Sequence, residues 1–330
     1  MKRILHLILI FSVLLALSAC GADGGNSTGT PSEPAPPAVS ASDPSSGSPA
    51  ASPAGSYKEE AVTVDSSSGD YQISAVLTTP ETDETVPLVV MLHGFGGYKD
   101  EGNGFVYIAR TLAKQGVASI RMDFAGTGED SRDFTAYTLD GSAADAEDCV
   151  DYAIQHANID ASKLGIFGYS NGGRITTLIT GAANQRYQAR VLLAPAVFSD
   201  TEGDQANLAE CQETGYREVE WFGNTLKVSR EYYESVLNFA ENLRSYQQTD
   251  IPTLIIRGTE DVMIPEEIVD SFATETGSCK LTIPGADHGY GFYSNDEAGY
   301  AVMDTVAGCA ASFFAQYLTD DTAEAMFANS

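Results

Sequence analysis

The chain has 330 residues, of which 18 are Lys or Arg and 46 are Asp or Glu, so its formal charge is −28. Such an acidic balance opposes binding to nucleic acid, or to anionic lipid through basic patches, and its plainest meaning is solubility. Beyond Cys20, the widely spaced Cys149, Cys211, Cys279 and Cys309 form no compact disulfide framework, and no Cys-x-x-Cys or His-x-x-x-His pair suggests a zinc site. All four are expected to be buried, unpaired thiols.

Met1-Lys2-Arg3 is a short basic segment, Ile4 to Leu17 is almost wholly apolar, and Leu17-Ser18-Ala19-Cys20 closes the run. The layout resembles a bacterial lipoprotein signal over residues 1–19. That resemblance implies export, lipidation of Cys20 as the mature N-terminus, and acyl chains that anchor the protein to the cell membrane. Loss of Lys2 and Arg3 with no acid would take the charge from −28 to −30. Residues 20–56 are nearly all Gly, Ser, Pro, Ala and Thr, with Val39 the one large aliphatic side chain before Tyr57. Such a segment cannot bury enough surface to offset chain entropy, so a disordered tether is expected.

The remaining stretch, 57–330, fits one large α/β domain. Strands are expected at Ala61 to Val64, Tyr71 to Thr79, Leu88 to Leu92, Val117 to Met122, Leu164 to Phe167, Val191 to Leu193, Thr253 to Ile256 and Lys280 to Ile283. Helical spacing appears over Phe105 to Gln115, Ser142 to His156, Gly172 to Ala183, Pro265 to Thr274 and Ala298 to Leu318. The first two strands have no helix between them, which predicts an antiparallel start. The later alternation predicts a mostly parallel sheet with helices on both faces. Residues 198–250 interrupt the rhythm and are too long for a simple connection. They read as an inserted lid whose aromatic residues mostly build the insertion's own small core, with one or two rings facing substrate.

Gly168-Tyr169-Ser170-Asn171-Gly172 lies between a predicted strand and a predicted helix. This is the layout of a nucleophile elbow, a sharp turn that exposes a serine hydroxyl to a base. Of the four histidines, His6 lies in the signal, His156 in a helix before the elbow strand, and His93 ahead of a glycine-rich turn. His288, in a loop just after the last predicted strand, is left as the base. Asp261 emerges after the strand Thr253 to Ile256, at the same sheet edge, and is the candidate carboxylate partner. Asp200, after the preceding strand, is the alternative. Oxyanion donors are expected from the amide of Asn171, at the helix N-terminus, and from that of Phe95 in the loop His93-Gly94-Phe95-Gly96-Gly97. No cofactor or metal is called for.

The folded part resembles the α/β-hydrolases, and within them the feruloyl (cinnamoyl) esterase group. The resemblance rests on His93 to Gly97, the stretch from Ile108-Ala109-Arg110 through Arg121 to Gly128, the elbow, Gly258 to Pro265, Gly285 to Gly289, and Arg230-Glu231-Tyr232-Tyr233 in the insertion. It implies a Ser170, Asp261, His288 triad with Phe95 and Asn171 as oxyanion donors, and a small or glycan-linked ester as substrate. The oligomeric state is not legible. Two rivals stand beside this reading: a serine peptidase of the prolyl-oligopeptidase type, disfavoured because no propeller-length region precedes the domain, and a surface lipoprotein that binds without catalysis.

Overall fold

The computed structural model describes residues 55–181, 186–198 and 200–319. The expected signal, Cys20 and all but the last two residues of the tether lie outside them. In chain order the body contains β1 (Tyr57–Asp65), β2 (Gln72–Pro80), β3 (Val86–Leu92), α1 (Gly104–Lys114), β4 (Ala118–Met122), α2 (Leu139–His156), β5 (Ile159–Tyr169), α3 (Asn171–Gly181) and β6 (Ala189–Leu193). After these come α4 (Thr201–Glu210), β7 (Tyr216–Trp221), β8 (Asn224–Ser229), α5 (Arg230–Tyr246), β9 (Thr253–Gly258), α6 (Glu266–Thr276), β10 (Cys279–Ile283) and α7 (Glu297–Leu318).

Eight strands form one sheet in the order β1-β2-β4-β3-β5-β6-β9-β10. The pairs β1/β2 and β2/β4 are antiparallel and every later neighbour is parallel. This is the α/β-hydrolase fold, and it puts the C-terminal ends of β3, β5, β6, β9 and β10 along one edge. The period of two along a strand distributes β3 between two cores: Val89 and Met91 pack with α1, α6 and α7, whereas Leu88, Val90 and Leu92 pack with α2 and α3. With both faces covered, every residue of β3, β4 and β6 is buried.

The insertion is α4, a β7–β8 hairpin and α5. Its rings do not form a separate small core, contrary to expectation. Tyr232, Tyr233 and Phe239 of α5 belong to the same cluster as Leu88, Val90 and Ile175, because α5 packs on α2 and α3 as well as on α4 and β8 of the insertion. At the hairpin tip Phe222 is 83% exposed. The cysteines also depart from expectation. All four are unpaired, but only Cys149 and Cys211 are buried; Cys279 is exposed at the start of edge strand β10 and Cys309 is half-buried on α7.

Candidate functional site

Between β5 and α3 the chain turns within one residue. Ser170 sits at φ 53°, in the left-handed region that a side chain with a Cβ occupies only under constraint. The constraint is visible in the hydrogen bonds: the Ser170 N–H donates to Leu193 O at 2.9 Å, and its carbonyl accepts from Gly173 at 3.0 Å and Ala196 at 2.9 Å. Glycine is required on both sides. A Cβ on Gly172 would run into the carbonyls of Leu92 and His93, and one on Gly168 into Thr176 and the Gly172 backbone.

Three side chains singled out in the sequence meet at this turn. Ser170 Oγ lies 3.1 Å from His288 Nε2, and His288 Nδ1 lies 2.9 Å from Asp261 Oδ2. Asp261 arrives from the end of β9 with its side chain fully buried, and its other oxygen accepts the N–H groups of Met263 at 2.9 Å and Ile264 at 3.0 Å. Both carboxylate oxygens are therefore engaged, which fixes the acid's orientation and the Nδ1-protonated form of the imidazole. The Tyr169 hydroxyl donates to His288 O at 2.7 Å and its ring lies against the imidazole, tying the loop after β10 to the elbow. His288 Nε2 is then left to accept the serine proton.

The alternative acid does not reach this place. Asp200 is exposed and caps α4, accepting the Gly203 N–H at 3.1 Å. Asp287, the sequence neighbour of His288, accepts the Gly289 N–H at 3.0 Å. The other described histidines are engaged elsewhere. His156 bonds Tyr152 O on α2, and His93 is wholly buried, with Nδ1 2.8 Å from Gly94 O and Nε2 accepting the Phe124 N–H at 3.1 Å.

Asn171 is the first residue of α3, so its N–H has no intrahelical acceptor and points out of a helix N-terminus. Its side chain donates to Tyr137 Oη at 2.8 Å and accepts from Arg174 at 3.1 Å, which pins the residue at the helix start. Phe95 lies in the turn after β3, closed by a Gly97 N–H to Gly94 O bond of 3.1 Å. Its ring is held edge-on by Phe134, Tyr137 and the lid residue Trp221, with Tyr232 tilted against it. The lid therefore touches the loop expected to supply an amide.

Sequence reasoning missed Glu101, Tyr137, Tyr169 and Tyr293 around this site. Tyr169 alone carried a signal, as the residue before the serine; an acidic residue in a glycine-rich loop reads as solvated. Among the described residues no group of three His, Cys, Asp or Glu side chains is placed to hold a metal ion.

Residues 103–318 match the prolyl oligopeptidase family. The acylamino-acid-releasing enzyme of Rattus norvegicus is 24% identical over 209 residues, which is 59% of this chain and 27% of the rat protein. The chain thus spans about a quarter of that relative's length. Among solved structures, Est1E from Butyrivibrio proteoclasticus, with ferulic acid bound, aligns at a TM-score of 0.60 and 24% identity, covering 77% of this chain and 99% of Est1E. The α/β-hydrolase GrgF from Penicillium sp. sh18 aligns at 0.61 and 15% identity, covering 80% of this chain and 100% of GrgF. At these identities the structural likeness speaks for the fold.

The buried His93 makes stability depend on pH in a definite direction. Burial lowers its proton affinity from 6.5 in the open chain to about 4, because the charged ring would lose its water. Between those values the unfolded state binds more protons, so the stabilisation is complete above pH 6.5 and is lost as the pH falls toward 4, by about 3 kcal/mol in all. Urea denaturation of wild type and His93→Gln at roughly pH 7.5, above the window, and roughly pH 4.5, near its lower end, checks this. The variant is expected to lose less stability across the range, and an equal loss in both would refute the assignment.

Proposed function

We propose that this chain, which belongs to the prolyl oligopeptidase family of serine hydrolases, hydrolyses carboxylic esters through an acyl-enzyme on Ser170. The observation that carries the reading is the continuous chain from Asp261 through His288 to Ser170, with contacts of 2.9 and 3.1 Å, ending at a strained elbow. Ser170 Oγ attacks the ester carbonyl carbon while His288 Nε2 takes the hydroxyl proton. The carbonyl electron pair moves onto oxygen, where the amides of Phe95 and Asn171 receive the charge. As that pair returns, the bond to the alcohol oxygen breaks and His288 hands its proton to the leaving group. Water, losing a proton to His288, then attacks the acyl-serine ester; the acid departs and the serine hydroxyl is restored.

Two observations support an ester over a peptide. Est1E, a protein solved with ferulic acid bound, aligns with this fold over 99% of its length. The ring cluster of Phe95, Trp221 and Tyr232 beside the elbow suits an aromatic or other apolar acyl group better than an extended peptide backbone, which needs hydrogen-bonding partners. The family match favours a second reading, cleavage of peptide or acylamino bonds by the same chemistry.

A panel of aryl esters, feruloyl sugars and peptide amides separates the two. Ester turnover is expected to dominate, to vanish in Ser170→Ala, and to fall by about 10⁴ in kcat for Asp261→Asn, which leaves His288 in the wrong tautomer. Peptide cleavage with negligible ester hydrolysis would replace the ester reading by the peptidase one, and undiminished turnover in Ser170→Ala would remove Ser170 from its role.

We also propose, from Met1 to Arg3, the apolar run Ile4 to Leu17 and Cys20, that the enzyme is exported and held at the cell membrane by lipid on Cys20, where it acts on small or glycan-linked esters. Fractionation of cells expressing wild type and Cys20→Ser tests this. The wild type is expected with membranes and the variant in the soluble fraction; equal distribution of the two would refute an anchor at Cys20.

A further inference from the structure

Glu101 takes no part in the steps above, yet it is 2% exposed and sits at φ 43°, a strained backbone that surrounding contacts must hold. Its two carboxyl oxygens are engaged by two different loops. Oε1 accepts the Gly94 N–H at 2.7 Å, and Oε2 accepts the Tyr293 hydroxyl. Gly94 precedes Phe95 in the turn proposed to stabilise the oxyanion, and Tyr293 lies in the loop that follows His288. The two loops are bonded again beside this point, where the Asn103 N–H donates to Phe292 O at 2.9 Å. Tyr169 closes the bracket, with its hydroxyl on His288 O and its ring against Gly94.

Taking a carboxyl out of water is costly unless its oxygens find donors, and here these two loops supply one to each oxygen. Burial pushes the Glu101 carboxyl above its ordinary range, while the bonds from Tyr293 and Gly94 and the proximity of His288 pull it back. We propose that Glu101 is a positioning residue, which sets the distance between the amide that receives the oxyanion and the imidazole that moves the proton. The inference rests on the reading of Ser170 as nucleophile. It has a physical consequence that a generic packing role lacks: the bracket is made of hydrogen bonds, so an isosteric side chain that keeps them should keep the rate.

Glu101→Ala releases Gly94 and Tyr293 together. Its kcat for an aryl ester is expected to fall at least about tenfold, with KM within about twofold of wild type, because a misplaced oxyanion donor costs transition-state rather than ground-state binding. The rate at which a fluorophosphonate labels Ser170 should fall in parallel. Glu101→Gln, which retains an oxygen for Gly94 and can donate to the Tyr293 oxygen, is expected to recover to within about threefold of wild type. Tyr293→Phe, which cuts one end of the bracket without burying a new group, should show an intermediate loss in kcat and carries the test if Glu101→Ala does not fold. Wild-type kcat and labelling in Glu101→Ala or in Tyr293→Phe, a loss confined to KM, or a Glu101→Gln variant as impaired as Glu101→Ala would each overturn the inference. Failure of the underlying reading looks different, since wild type itself would then not be labelled at Ser170.

Discussion

The left-handed backbone at Ser170 is the constraint around which the rest of the site is arranged. At φ 53° the residue aims its hydroxyl away from the sheet, and the conformation persists because Leu193, Gly173 and Ala196 hold both of its backbone polar groups. The same turn brings the first residue of α3 close to the end of β3, where Gly172 passes the carbonyls of Leu92 and His93 with no room for a Cβ. Close passage has a structural result: the start of α3 lies against the end of β3, the strand that the Phe95 turn follows. Strain in one residue thus sets the relation among three strand ends.

Around the turn, the protein handles buried charge by giving both oxygens of each carboxyl a donor. Asp261 bonds His288, Met263 and Ile264. Glu101 bonds Gly94 and Tyr293. Farther back, Lys99 joins Asp123 and Glu129 at 2.7 Å each beneath the same loop, and Asp123 also accepts the Lys99 and Glu129 N–H groups. Carboxyls in such settings act as rigid joints, since a buried acid that lost a partner would bear its full desolvation cost. His93 is the opposite case, a buried ring kept neutral so that it can accept from Phe124 and donate to Gly94.

Much of this was legible because the chemistry leaves a short-range trace. The spacing of Gly168, Ser170 and Gly172 encodes a turn; strand ends locate Asp261 and His288 at one sheet edge, where the structure brings them together with Ser170. The alternation of apolar runs and helical stripes was enough for the sheet and its helices. The lid was illegible in detail. Helix α4 buries no residue and so has no apolar stripe, and the β7–β8 hairpin is half-exposed throughout most of its length. Helix α5 does carry a stripe, but local pattern cannot say which surface that stripe will meet, and it meets the main core. Glu101 was invisible for a related reason: nothing in a glycine-rich loop distinguishes a solvated acid from one folded back onto the loop's own amides. Fold and serine chemistry are shared by esterases and by the prolyl oligopeptidase family, so a resemblance to the former and a match to the latter are compatible.

The central claim is that the Asp261–His288–Ser170 chain builds a covalent acyl intermediate, and its most direct test is to catch that intermediate. An aryl ester mixed with the enzyme and quenched in acid before deacylation completes should leave the mass of one acyl group on the peptide that contains Ser170, and none in Ser170→Ala. An acyl group found on a different side chain, or ester turnover that proceeds unchanged in Ser170→Ala, would contradict the account.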